Sequence, residues 1–304
     1  MKHKRIEKNK SWALIPIIVI VLILVSVWVY FTCNLFFTEN NRIMTKSSGN
    51  SPTKTDKAAG YIESETNKAV TGSMAVVSDA GAAEWLKVSS NTKLQKVTNL
   101  SKDGLTIYRI NNPQILKTTT VLQQPLMRMA DMIAQYPDTI IMNGSAFAMG
   151  GTNEVVGLQI NNGKLIRDWN DTSSGMQYAF IINKDGSCQI YDSTIPASTI
   201  IENGGQQSFD FGTAIIRDGK IQPSDGSVDW KIHSFIANDN ENNLYVILSD
   251  TNAGYENIMA EVSSLNLQNM LLLDSGGSSQ LSVNGTIIVP SQDDRAIPDY
   301  IVIK

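Results

Sequence analysis

Histidine and cysteine are nearly missing from this chain of 304 residues, which has two of each. Cys33 and Cys188 are too few for a disulfide framework or a cysteine-built zinc site. His3 and His233 leave one imidazole in the body, which excludes histidine-rich metal centres and HExxH chemistry. Basic charge is also scarce beyond the first residues. From Ala75 onward there are 15 Lys and Arg against 24 Asp and Glu, a net of −9. A body that acidic lacks the positive footprint that phosphate backbones need, so no nucleic-acid partner is expected. No motif recurs at a fixed period, which argues against a solenoid or propeller.

The early residues differ. Lys2, Lys4, Arg5, Lys8 and Lys10 stand against Glu7, and residues 11–38 then carry no charged side chain. Roughly 20 apolar residues span a bilayer's hydrocarbon core. Trp12 at one end and Trp28, Tyr30 and Phe31 at the other match interfacial aromatic belts. The run is long, and its exit, Tyr30-Phe31-Thr32-Cys33-Asn34, has no small-x-small site, which disfavours a cleaved signal peptide. The pattern predicts a cytoplasmic basic tail at 1–11, a transmembrane anchor at 12–32 and a body outside the cell membrane. Residues 33–74, with the polar run Thr45-Lys46-Ser47-Ser48-Gly49-Asn50-Ser51-Pro52, read as a flexible linker.

Residues 75–304 are rich in two-residue turns. Asn162-Gly163, Asp185-Gly186, Asp218-Gly219 and Asn284-Gly285 each lie between short Ile-, Val- and Leu-rich runs, the strongest short-range hairpin signal. Apolar residues at helical spacing predict helices over 122–136, stopped by Pro137, and over 255–267. A shorter one is expected over 82–88. The fold class expected is α+β: a single mixed sheet/hairpin-rich domain with a few helices, preceded by one N-terminal transmembrane helix.

Four segments carry candidate chemistry. The apolar run Met270-Leu271-Leu272-Leu273 ends in Asp274-Ser275-Gly276-Gly277-Ser278-Ser279. Paired glycines let backbone amides approach an anion, and Asp274 at a strand end suits a nucleophile, a base or a ligand-orienting group. An ordinary turn with a capping Asp reads equally well from spacing alone. Ile140-Ile141-Met142-Asn143-Gly144-Ser145-Ala146-Phe147 is a second strand ending in a polar turn. Phe211-Gly212 leads into the Arg217-Asp218-Gly219-Lys220 hairpin. The tail, Asp293-Asp294-Arg295-Ala296-Ile297-Pro298-Asp299, holds an arginine suited to a phosphate, or else to a rim salt bridge.

In this order, over roughly residues 105–304, the segments resemble the phosphodiester glycosidase family, which has an exopolysaccharide-associated bacterial branch. The resemblance implies a hydrolase that cleaves sugar-1-phosphodiesters of the N-acetylglucosamine-1-phosphate type in cell-surface glycans. It implies catalytic roles for Asp274, Asp299 and His233, and substrate binding by Asn143, Gly144, Gly276, Gly277, Ser278, Ser279 and Arg295. His233 stands where the family usually has an arginine, Ser275 where it has a glycine, and Ser145 also departs. These departures keep open a catalytically impaired protein of the same fold that binds glycan or assists exopolysaccharide assembly. No cofactor or metal is called for, although Asp239 with Glu241, or Asp293 with Asp294, offers a divalent cation some ligands. The partners expected are a phosphate-containing surface glycan and, through the N-terminal helix, the membrane.

Overall fold

The computed structural model describes residues 81–88, 96–102, 104–169, 176–228, 232–251 and 253–304. The segments read as basic tail, membrane anchor and linker lie outside the described residues. Among the described residues, no helix is long and apolar enough to cross a membrane.

Strands dominate with few helices, as expected; among the described residues they form four sheets, and every strand pairing is antiparallel. The six-stranded sheet runs, in spatial order, Leu86–Lys87, Gln114–Lys117, Tyr300–Ile303, Ile140–Asn143, Leu281–Val283, Thr286–Val289. The seven-stranded sheet runs Lys220–Ile221, Ala214–Arg217, Leu267–Leu272, Ser234–Asp239, Leu244–Ser249, Leu105–Asn111, Lys96–Asn99. A three-stranded sheet (Gly205–Asp210, Tyr178–Asn183, Cys188–Asp192) and the hairpin of Gln159–Asn161 with Lys164–Arg167 complete the set.

Alternation along the strands explains the layering. Ile140 and Met142 face a core shared with Ile236, Leu271 and Phe180, while Ile141 between them faces Met129 and Met132 on the far side of the six-stranded sheet. Ile236 likewise faces the shared core, whereas Phe235 and Ala237 face Ile258, Met259 and Val262. Period-two side chains with apolar residues on both faces are what a strand buried on both sides requires. Helix Met129–Gln135 covers one outer face, helix Tyr255–Val262 another, and helix Ala197–Glu202 packs with Leu158, Ile160 and Ile181.

All four turn dipeptides join paired strands. Asn162-Gly163, Asp218-Gly219 and Asn284-Gly285 have positive φ at both positions, as a type I′ turn demands.

Three helix expectations need correction. Over 122–136 only Met129–Gln135 is helical. Pro125 disfavours helical backbone at Gln124, and Met127 instead bridges to Ile297. Over 255–267, the α-helix ends at Val262 and a 3₁₀ turn at Leu265, because Asn266 turns left-handed (φ 52°) and Leu267 opens a strand. Residues 82–88 hold no helix: Leu86 and Lys87 pair with Ile115 and Gln114. An open sheet edge there outweighs weak helical propensity.

Candidate active site

The site forms where the chain crosses between the two large sheets. Strand Leu267–Leu272 is central in one sheet, strand Leu281–Val283 lies inside the other, and residues 273–280 connect them. A polar segment thus sits at the end of two apolar strands, held from several sides. Leu273 N–H donates to Ser234 O (2.8 Å), and Gly276 N–H to Ile232 O (2.8 Å).

A cavity of about 590 Å³ opens at this crossing, lined by His233, Asp274, Gly276, Gly277 and Arg295 among the residues expected. The Asp274 carboxyl accepts a hydrogen bond from Ser275 N–H (3.0 Å) and another from the Ser278 hydroxyl. Arg295 Nη1 donates to Ser278 Oγ (3.4 Å), so arginine, serine and aspartate form a chain. Burial pushes Asp274 up to about 6, and the two hydrogen bonds and the Arg295 charge offset only part of that rise. Such a carboxyl holds and releases a proton near neutrality.

Asp293 orients Arg295, accepting from its Nη2 at 2.6 Å and its Nε at 3.1 Å. The guanidinium lies so close to Gly277 that a Cβ there would overlap it, which explains a residue without a side chain at that position. Gly276 has φ 66°, in the left-handed region glycine favours. His233 is buried, its ring tilted against Phe235 with centroids 6.2 Å apart.

The remaining expected residues stand behind the cavity. Asn143, expected to bind substrate, is fully buried. Its Nδ2 donates to the Asp274 carbonyl (2.6 Å), and its Oδ1 accepts from Ser234 Oγ (2.8 Å) and Gln280 N–H (3.2 Å). It braces the backbone of Asp274 and is shut away from the cavity by this use of its amide. Ser279 is also internal, bonded to Ser234 Oγ at 3.0 Å and Ile232 O at 3.2 Å. The amides of Gly276 and Ser279 both donate to backbone carbonyls, so these two amides are used within the fold. Ser278 is buried too and touches Asp274 and Arg295 rather than the cavity wall.

Asp299 and Gly144 require the largest revision. Asp299 is fully buried and pairs with the equally buried Lys117 (2.8 Å), while Thr119 Oγ1 (2.7 Å) and Ser145 N–H (2.8 Å) donate to it. Gly144 packs against that carboxylate so closely that a Cβ would overlap it. Both residues serve the interior, because a fully buried carboxylate already held by a lysine, a hydroxyl and an amide is out of a substrate's reach. Burial lowers the Lys117 pKa, against the opposing pull of Asp299.

The acidic pairs raised as cation ligands are engaged elsewhere. Asp239 accepts from Glu241 N–H, Asn243 N–H, Asn243 Nδ2 and Tyr245 Oη. Asp293 holds Arg295, and Asp294 pairs with Arg128.

Phe211, Thr213, Asp225, Ser227 and Gln292 line the cavity but were not among the expected site residues. The Asp225-Gly226 dipeptide signals a turn, yet nothing local says that this turn faces Asp274.

Known proteins agree with this architecture. A catalytic domain of zebrafish N-acetylglucosamine-1-phosphodiester alpha-N-acetylglucosaminidase, auto-inhibited by its pro-peptide, superposes with a TM-score of 0.50 at 18% identity, over 74% of this chain and 88% of that one. At that identity the likeness speaks for the fold alone. The SPbeta prophage-derived uncharacterized protein YomE of Bacillus subtilis (strain 168) is 29% identical over 179 residues, 54% of this chain. The chain spans only 28% of that relative's length. The family model for phosphodiester glycosidases matches residues 138–304, starting later than the expected 105 but covering more than half the chain. With that model matched over more than half of its length, the chain belongs to the phosphodiester glycosidase family.

Proposed function

We propose that this chain hydrolyses the bond between a sugar's anomeric carbon and a phosphodiester, with N-acetylglucosamine-1-phosphate linkages of cell-surface glycans as its substrate class. One observation supports this most: a carboxyl poised near neutrality and an arginine share one cavity large enough for a sugar phosphate, joined through Ser278. Asp274 donates a proton to the departing phosphate oxygen. Arg295 attracts the phosphate charge, with Asp293 fixing its orientation. His233 stands on the same wall and donates a hydrogen bond to a phosphate or sugar oxygen. In this reading the apolar segment at 12–32 tethers the body at the outer membrane surface.

The test is to incubate the purified full-length chain with UDP-N-acetylglucosamine and measure released reducing sugar. Turnover is expected, falling ~100-fold or more in Asp274→Asn. The tie between Arg295 and Asp293, which partly neutralises the phosphate-binding charge, favours the rival glycan-binding role. Tight glycan binding without turnover, unchanged by Asp274→Asn, decides for that rival.

A further inference from the structure

Hydrolysis at an anomeric carbon ordinarily engages two carboxyl groups, one giving a proton to the leaving oxygen and one meeting the opposite side of the reaction. Asp299 cannot be the second, since it is sealed into its pair with Lys117. Asp210 is also fully buried, its Oδ2 accepting from Leu158 N–H at 2.8 Å. Asp293 is bound to Arg295. Among the described acidic residues, Asp274 and Asp225 are the two that line the cavity.

We infer that Asp225 is the second carboxylate of the reaction, the base that activates the attacking water. This rests on the reading of the site as a phosphodiester glycosidase centre. The loop bearing Asp225 fixes its geometry. Ser227 N–H (2.9 Å) and Ser227 Oγ (2.6 Å) both donate to Oδ1, and Gly226 turns left-handed at φ 81° to allow this. Ser227 and Thr213 line the cavity beside it. Two donors on Oδ1 fix the carboxylate, and the Thr213 hydroxyl adds a further hydrogen bond to it at the cavity wall.

The electrostatics agree. Burial alone would raise Asp225, but the hydroxyl and amide of Ser227 and the Thr213 hydroxyl outweigh it and hold the group below the usual carboxylate range. Asp274 is displaced the other way. Two carboxyls in one cavity with opposite displacements divide naturally into acid and base. The other charged or titratable groups lining the cavity are His233 and Arg295.

The step balances without a co-reactant other than water. The bond from the anomeric carbon to the phosphate oxygen breaks, and its electron pair stays on that oxygen, which takes the proton of Asp274. Water oxygen bonds to the anomeric carbon and gives its proton to Asp225. The products are the free sugar and a phosphate monoester, and solvent returns each carboxyl to its starting state. An anion at Asp225 also repels phosphate, so the phosphate sits toward Arg295 and the sugar toward Asp225 and Phe211.

The test compares the full-length parent, Asp225→Asn and Asp274→Asn with UDP-N-acetylglucosamine, with and without sodium azide. The Asp225→Asn chain is expected to lose ~100-fold or more in kcat with KM within about threefold of the parent. Azide, a nucleophile that needs no base, is expected to restore turnover in Asp225→Asn alone and to yield a glycosyl azide by mass spectrometry. An active parent with Asp225→Asn within about threefold in kcat, or with a raised KM only and no azide adduct, overturns this inference and leaves the proposed function standing. A parent that releases no sugar overturns both. Asp225 is exposed, so unchanged thermal melting of the variant is expected, and it separates loss of chemistry from loss of fold.

Discussion

The Asp274 carboxyl is costly to the fold at neutral pH. Its folded-state pKa of about 6 lies above the ordinary 3.8, so the folded chain binds this proton more tightly than the unfolded chain does. The stability it contributes is complete below about pH 3.8 and is lost as pH rises through about 6. Asp274→Asn keeps the shape and removes the charge. That variant is expected to be ~1–2 kcal/mol more stable than the parent at pH 7, after discounting for partial exposure, with the difference vanishing near pH 4. Urea titrations at the two pH values check this. An Asn variant no more stable at pH 7 shows that burial does not penalise the charge. In the proposed reaction turnover is expected to have the matching dependence, declining above about pH 6 as Asp274 loses its proton, which a pH–rate profile checks. A variant that gains stability and loses turnover together is the outcome expected if this burial is kept for chemistry.

Elements, unlike single residues, show which parts of this fold are written locally. Type I′ turns need positive φ at two adjacent positions, and Asn-Gly or Asp-Gly supplies that from the dipeptide alone, so the hairpins are legible. Residues 82–88 and 122–128 are not, because pairing with Ile115 and bridging to Ile297 are contacts with distant chain. The place of Asp299 is illegible for the same reason. Beside Arg295 in sequence it looks like part of the site, but strand Tyr300–Ile303 pairs with both Gln114–Lys117 and Ile140–Asn143, which brings Lys117 against it. That pair predicts a structural phenotype. Asp299→Ala strands a buried lysine and is expected to cost about 3–5 kcal/mol in urea unfolding. Adding Lys117→Met is expected to recover much of the loss, because the two changes share one interaction. A catalytic carboxylate behaves oppositely, losing turnover with no loss of stability. Asp299→Ala with unchanged unfolding and lost turnover overturns the structural assignment.

Across the whole molecule, the site exists because two sheets share a core. Ile140, Met142, Leu281 and Ile301 from one meet Ile236, Val246 and Leu271 from the other, and the polar crossing at 273–280 is fixed between them. That arrangement places the cavity proposed to take an anionic substrate on a body with a net charge of −9 from Ala75 onward. Charge of this sign repels an incoming phosphodiester at distances where salt screens it, since the Debye length shrinks from ~30 Å at 0.01 M to ~8 Å at 0.15 M. Arg295 acts at contact range and, being paired with Asp293, does little to reverse the long-range field. Raising ionic strength between these values is therefore expected to increase kcat/KM for an anionic sugar phosphodiester by ~2–5-fold, through the encounter step. A neutral aryl glycoside of the same sugar feels no such field, so its kcat/KM is expected to stay flat. Initial rates at low substrate across a salt series distinguish the two. A fall with salt for the phosphodiester means that local attraction at Arg295 outweighs the acidic surface, and the global charge argument fails.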